Sequence, residues 1–329
     1  MPDSYLMSGS YLEQQQKKHD APTYVKDFKE FGQIYHIHFS PFEWTKNIML
    51  LAFNKRIVFI HLIFENTIGV DQLYEFEQPS RCTAISLSPL ASIDLLPHQL
   101  VFAVGSIDHK IRIFESDLRE NTSCKVISGH TSFINDLSYD IENTYLASAS
   151  DDNTVKIWHS DGYKLKTTFN LGSPAMVISW HRCDPGKLLV AEKIGLVKFY
   201  NVETEIAILS LDFAKSLSSA HWTSSDSQIL GTLQLGELLL WDLSKPCLPQ
   251  QSTLLFPENG GHIKFSPQGE LLAAVNSLDG SLKVVHTTTQ TLKLNARVFL
   301  PTNVQWHYHF SILCVGDDAK LCFWKLKGL

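Results

Sequence analysis

Residues 129–158 read GHTSFINDLSYDIENTYLASASDDNTVKIW, and this stretch limits the fold more than any other part of the chain. Phe133 to Tyr139 mixes apolar and polar residues as a strand between two environments does. Leu146-Ala147-Ser148-Ala149-Ser150 is a run of small residues, suited to a place where sheets crowd together. Asp151-Asp152-Asn153 is hairpin-turn chemistry. Thr154-Val155-Lys156-Ile157-Trp158 alternates with period two and is rich in β-branched residues. Short strands of this kind cannot bury their faces alone, so the rest of the chain has to supply neighbours.

The same turn and closing strand recur along the chain. Asp108-His109-Lys110-Ile111-Arg112-Ile113-Phe114, Asp279-Gly280-Ser281-Leu282-Lys283-Val284-Val285 and Asp318-Ala319-Lys320-Leu321-Cys322-Phe323-Trp324 align on Asp152 to Trp158. Weaker copies end at Ile60, Tyr200 and Trp241, with Asn54, Ile194 and Leu235 in the place of the acid. A first-strand run precedes each copy, as in Ile37 to Pro41, Ile85 to Pro89 and Ile263 to Pro267. The closing positions lie 54, 44, 42, 41, 44 and 39 residues apart, centred on the roughly 40–45 residues that one four-stranded blade occupies. Seven copies predict an all-β chain folded as a seven-bladed β-propeller.

The ends of the chain carry a further expectation. Trp324 closes the third strand of the last unit, and too few residues follow to build its outer strand. The segment Pro22 to Phe28 precedes the first unit and has no other task. It is predicted to supply the missing strand and cover an open sheet edge. On this reading residues 22–329 are the propeller, residues 1–21 are a polar flexible tail, and loss of residues 1–20 is tolerated.

Composition excludes several function classes. A net charge of −6 speaks against attraction to nucleic acid. The longest apolar run, about Ile48 to Phe53, is far shorter than the ~20 residues of a membrane helix, so no direct membrane insertion is expected. The N-terminus has neither an apolar core nor a basic leader, and six cysteines without a CxxC pair fit a reducing compartment rather than a disulfide or zinc framework. Gly-x-Ser-x-Gly and phosphate-cradling glycine motifs are absent. His36, His38, His307 and His309 have the alternation of metal ligands, but no carboxylate or cysteine accompanies them at ligand spacing. The expectation is therefore no catalytic residue, no metal, no cofactor and no small-molecule substrate: not an enzyme.

The residues singled out are structural. His130, Ser148, Asp152 and Trp158 are expected to form a hydrogen-bonded chain, since a buried indole and imidazole need partners. Asp108, Asp279 and Asp318 are the matching turn acids. His181 and His307, each following a Trp, read as blade-packing positions, and Cys314 and Cys322 as buried small hydrophobes with a cross-strand disulfide as the alternative. The insertion from Ile60 to about Arg81, carrying Glu65, Asp71, Glu75 and Glu77, is expected to be a protruding acidic loop, with a partner-facing arm as the alternative. Leu235 to Leu240 is expected to be an inner strand buried on both faces, with an interface strand as the alternative.

The Gly-His to Trp unit resembles a WD repeat, a family in which His, Ser, Asp and Trp play this structural role, so the propeller is of the WD40 type. The strings SPFE (Ser40 to Glu43), HKIRIFESDL (His109 to Leu118), SGHTSFINDLSYD (Ser128 to Asp140), VAEKIGLVKFYN (Val190 to Asn201), AILSL (Ala207 to Leu211) and SAHW (Ser219 to Trp222) resemble the thirty-seven-kilodalton WD-repeat nucleoporins from Pro41 to Trp324. The resemblance implies a peripheral scaffold subunit of the Y-shaped outer-ring complex of the nuclear pore. It implies docking on a large nucleoporin of about 160 kilodaltons and contact with other Y-complex subunits, in support of pore assembly and of protein and mRNA transport. Localisation at the nuclear envelope, and at kinetochores in mitosis, is implied by the same likeness. Two other readings are an adaptor presenting substrates to a ubiquitin ligase and a propeller hydrolase. The adaptor reading lacks the usual Arg after the WD pair, as Trp158-His159-Ser160-Asp161 and Trp241-Asp242-Leu243-Ser244 show. The hydrolase reading needs a catalytic cluster at the central channel, which the sequence does not display.

Overall fold

The computed structural model describes residues 19–326, apart from 65–66, 95, 224–227 and 258–259. Residues 1–18 of the expected tail, and Glu65, lie outside the described residues. Seven antiparallel four-stranded sheets make up the fold, and a three-residue 3-10 turn, Glu43–Thr45, is the one helical element among the described residues. Among the described residues no helix is long and apolar enough to cross a membrane.

The first strands of the seven blades are His36–Phe39, Cys82–Leu87, Ile134–Tyr139, Ala175–Trp180, Leu217–Trp222, His262–Phe265 and Pro301–Trp306. The third strands are Arg56–Phe64, Lys110–Ser116, Thr154–His159, Leu196–Asn201, Glu237–Asp242, Ser281–His286 and Lys320–Lys325. All seven closing positions read from the repeat fall in these third strands.

Burial follows position in the blade. The second strands are closed on both faces, and Tyr145–Ser150 is buried at every residue. Its small side chains are required there, because sheets on both sides approach it closely. Gly105, in the second strand of blade 2, makes the same point: a Cβ there would sit 2.8 Å from Ile134 of blade 3. Outer strands face water, and Thr122–Ser128 has one buried residue. The apolar core is divided into seven clusters, one between each pair of adjacent blades. A blade therefore owes its stability to both of its neighbours.

The ring is shut by the leading segment. Tyr24–Asp27 pairs antiparallel with Lys320–Lys325, in the register Tyr24↔Phe323, Val25↔Cys322, Lys26↔Leu321 and Asp27↔Lys320. The clasp begins earlier than Pro22. Asp20 exchanges backbone and side-chain bonds with Asn295 of blade 6 (2.7 and 2.9 Å), and its carbonyl accepts the Trp324 indole N–H at 3.2 Å. Phe28 and Ile34, which follow the strand, are buried in the cluster between blades 7 and 1.

One local expectation is corrected, and two others find their places in the sheets. The segment after Ile60 is no loose loop: Arg56–Phe64 and Ile68–Glu77 form the long outer hairpin of blade 1. Two of its carboxylates are paired across the strands, Glu75 with Arg56 at 3.0 Å and Asp71 with His61 at 3.4 Å. The Leu-rich strand of blade 5 is the third of its sheet, flanked by strands on both sides; Leu238, Leu239 and Leu240 are buried, while Leu235 in the turn is half exposed. Cys314 pairs with Phe323 and Cys322 with Val315, which puts the two thiols on opposite faces of the sheet, and both cysteines are free.

Candidate functional site: a buried hydrogen-bond chain and a polar channel

In blade 3 the turn after Ser150 brings the four residues singled out above together. His130 Nδ1 lies 2.8 Å from Asp152 Oδ2, and His130 Nε2 lies 2.7 Å from Ser148 Oγ. The Trp158 indole N–H donates to the same Ser148 Oγ at 2.9 Å. Asp152 also accepts Thr131 N–H and the Thr154 hydroxyl, at 3.0 and 2.5 Å. The chain thus ties the loop entering the blade, the second strand, the turn and the third strand into one unit. Burial opposes charge on both ionisable members. It lowers the His130 pKa despite the bond to Asp152, whereas the bonds from Thr154, Thr131 and His130 outweigh burial at Asp152 and lower its carboxyl.

The matching acids make different bonds. Asp108 holds Arg112 of its own hairpin at 2.5 and 3.1 Å, and that guanidinium keeps the Asp108 carboxyl below the usual range. Asp279 caps its turn by accepting Ser281 N–H at 2.8 Å. Blade 7 has a shorter hairpin. There Asp318 takes the left-handed turn position (φ 54°), and its neighbour Asp317 accepts Phe299 and Leu300 N–H at 3.0 and 3.1 Å.

Blade 4 lacks a turn acid but has a buried one in its second strand. Glu192 is fully buried, pairs with Lys198 Nζ at 2.8 Å and accepts Gly172 and Ser173 N–H at 3.0 and 3.1 Å. This pairing overcomes the effect of burial on Lys198 and raises its pKa. Sequence reasoning missed Glu192 because it looked for an acid in the turn. Glu192→Gln is expected to cost about 3 kcal/mol, since it strips a half-buried ammonium of its counter-charge. Urea unfolding of the variant checks this.

Around the axis, polar side chains of the first strands bond to the next blade in turn. His38 Nε2 accepts Leu87 N–H at 3.3 Å, Ser86 Oγ accepts Tyr139 N–H at 3.0 Å, and Asp136 Oδ2 accepts Ile178 N–H at 3.0 Å. Ser179 Oγ accepts the Trp222 indole at 2.9 Å, and Ser219 Oγ accepts Ile263 N–H at 3.3 Å. Lys264 Nζ donates to Gln305 Oε1 at 2.7 Å, and Asn303 Oδ1 accepts Ile37 N–H at 2.9 Å, which completes the circle. The belt encloses a channel of about 610 Å³ whose lining includes His36, His38, Asp136, His221, His262 and Lys264. Crowding by protein on most sides depresses His36 and His221 to about 3 and Lys264 to about 8, and raises Asp136 to about 6.

With this geometry in view, the WD domain, G-beta repeat family matches residues 121–159. That unit starts in the outer strand of blade 2 and ends in the third strand of blade 3, so the sequence repeat interlocks two blades. Nucleoporin Nup37 of Mus musculus is 31% identical to the chain over 315 residues, which span 92% of this chain and 96% of the relative. The Homo sapiens protein matches equally. Its Drosophila melanogaster counterpart is 30% identical over 257 residues, 78% of this chain and 80% of its own. The chain belongs to the Nup37 family of nucleoporins.

In this Nup37-family propeller, Ser148, His130 and Asp152 are ordered as a nucleophile, base and orienting acid would be. Ser148 nevertheless has no exposed surface, and its oxygen is already bonded by the Trp158 indole. No substrate carbonyl can reach it without unfolding the blade. The histidines once weighed as metal ligands are separated in the same way. His36 and His38 line the channel, whereas His307 Nδ1 accepts His309 and Phe310 N–H, both at 3.0 Å, at the end of blade 7. His181 caps its loop identically, accepting Cys183 and Asp184 N–H at 3.1 and 2.8 Å. No group of three or more His, Cys, Asp or Glu suited to a metal occurs among the described residues. Trp158→Ala should cost about 3–5 kcal/mol by emptying a large buried volume and orphaning Ser148 and His130. Equilibrium unfolding measures that loss, and a variant as stable as the parent would rule out the structural role.

Proposed function

We propose that the chain is a non-enzymatic scaffold subunit of the nuclear pore, a member of its Y-shaped outer-ring complex that docks its propeller on a large nucleoporin partner. The observation that carries this reading is the extent of the relationship to Nucleoporin Nup37: the alignment takes in 96% of the relative, so whole propellers correspond and not one repeat. The geometry supports it. A ring in which each blade is packed and hydrogen-bonded to both neighbours keeps its faces fixed, and fixed faces bind without the entropy loss of ordering loops. An interface of ordinary size, about 800 Å² per partner, would occupy a small part of that surface. The reading places the protein at the nuclear envelope, with pore assembly and nucleocytoplasmic transport as its consequences.

Affinity purification of the tagged full chain from nuclear-envelope extract tests this. The scaffold reading expects the large outer-ring nucleoporins in near-stoichiometric amounts. Recovery of a cullin-type ubiquitin ligase without them would favour the adaptor reading and reject the scaffold.

A further inference from the structure

The channel gathers cationic and imidazole side chains from several blades inside the ring. Its lining holds Lys264 and Arg182 together with five histidines, His36, His38, His181, His221 and His262, whose pKa values burial lowers. Two carboxylates oppose them. Glu43 lies exposed on the outer lip, and Asp136 has both oxygens engaged, by Leu137 N–H at 2.9 Å and Ile178 N–H at 3.0 Å. Among the described residues no carboxylate lies within ion-pair distance of Lys264 or Arg182. A cation held in a crowded site with a neutral amide as its partner is costly, and a bound anion would remove that cost.

One end of the channel is crossed by a strut. Arg182 follows the first strand of blade 4, and its Nη2 donates to the Pro41 carbonyl of blade 1 at 2.8 Å while its guanidinium lies over the Tyr308 ring of blade 7 at 5.4 Å. Blades 1 and 7 are the pair opposite blade 4 in a ring of seven, so the side chain spans the opening. His262, at the start of its strand, stands exposed at the other end. The channel therefore has a guanidinium across one end, an ammonium in its wall and an imidazole at the other end. Its volume of about 610 Å³ is in the range of small-molecule sites. It would hold on the order of 20 waters, which is more than a single phosphate ion displaces. Guanidinium and ammonium together recognise phosphate oxygens by charge and by directed N–H donors.

We propose that the central channel is a binding site for a small, multiply phosphorylated molecule that enters past His262 and is held by Lys264 and Arg182. The ligand is bound, not transformed, and the site is independent of the nucleoporin reading. Docking on a partner could fail its test while this pocket passes, and the reverse.

Isothermal titration of the full chain with inorganic tripolyphosphate tests the proposal, with Lys245→Gln on the exposed surface as the control. Binding to the parent is expected in the micromolar range, and Lys264→Gln is expected to weaken it by about tenfold or more. Asp136→Asn, which removes the opposing charge but keeps an acceptor, should tighten it several-fold, an effect that a purely structural role for Asp136 would not produce. If Lys264→Gln does not melt like the parent, Arg182→Gln takes its place with the same expectation. No heat from the parent at about 1 mM probe would overturn the proposal. So would an affinity unchanged in both channel variants, or a loss in Lys245→Gln as large as in Lys264→Gln.

Discussion

Deletion of residues 1–30 is expected to lower the melting temperature by about 10 °C or more. The deletion removes the outer strand of blade 7 and exposes the free edge of Lys320–Lys325. It also removes Phe28, which is buried between blades 7 and 1, and the three bonds that Asp20 makes to Asn295 and Trp324. Burying one Phe is worth about 1.5–3 kcal/mol, and the lost backbone bonds add about 1 kcal/mol each. The total is several kcal/mol, a large part of the stability of a domain. Deletion of residues 1–18 touches none of these contacts and should leave the melt unchanged. Deletion of residues 1–20 is no longer expected to be neutral, because Asp20 is part of the clasp. Differential scanning fluorimetry of the three truncations gives the order, and equal melting of the parent and the 1–30 deletion would refute the clasp.

Acidification is the second large effect. Burial, followed by repulsion from Lys264 and from other histidines, keeps His36 and His38 neutral in the fold. Burial likewise depresses His221 to about 3 and His307 to about 4, the latter helped by His309. In the unfolded chain these rings titrate near 6.5. Their contribution to stability is therefore complete above about pH 6.5 and is lost as the pH falls from there towards 4 and 3. At about pH 5 each ring forfeits up to ~2 kcal/mol, less for those that keep some access to channel water. Asp136 acts in the other direction. Its carboxyl is raised to about 6 by burial, so its protonation below that pH relieves the fold by about 1 kcal/mol. The net loss between about pH 7.5 and about pH 5 is expected to be roughly 3–6 kcal/mol, a fall in melting temperature of about 10 °C. His307→Asn should flatten the acid limb while lowering the plateau, because the ring nitrogen that accepts His309 and Phe310 N–H is lost. A melting temperature that does not change over this range would show that these histidines are not held neutral.

The sequence made the blades legible because their signal is local. A turn acid, a β-branched third strand and a closing aromatic sit within a dozen residues, as in Asp152 to Trp158. The clasp was legible through an imbalance of strands, since blade 7 had no outer strand of its own. Features that depend on pairing across strands were not. The acids after Ile60 read as a free charged loop, yet Arg56 and His61 reach Glu75 and Asp71 diagonally across the hairpin. The channel was hidden for a stronger reason. His36, Asp136, Arg182, His221 and Lys264 belong to five blades and carry no shared spacing, so closure of the ring alone makes them neighbours. Glu192 was overlooked because an acid at the end of a second strand does the task that Asp152 performs from the turn.

Amide hydrogen exchange along residues 20–28 and 320–326 examines ring closure most directly. If the leading segment completes the last sheet, Tyr24–Asp27 and Lys320–Lys325 should exchange in step, at the slow rate of global opening shared by the second strands. Rapid exchange of Tyr24–Asp27 beside protected second strands would mean that the sheet edge of blade 7 stands open, and the closed ring would have to be abandoned.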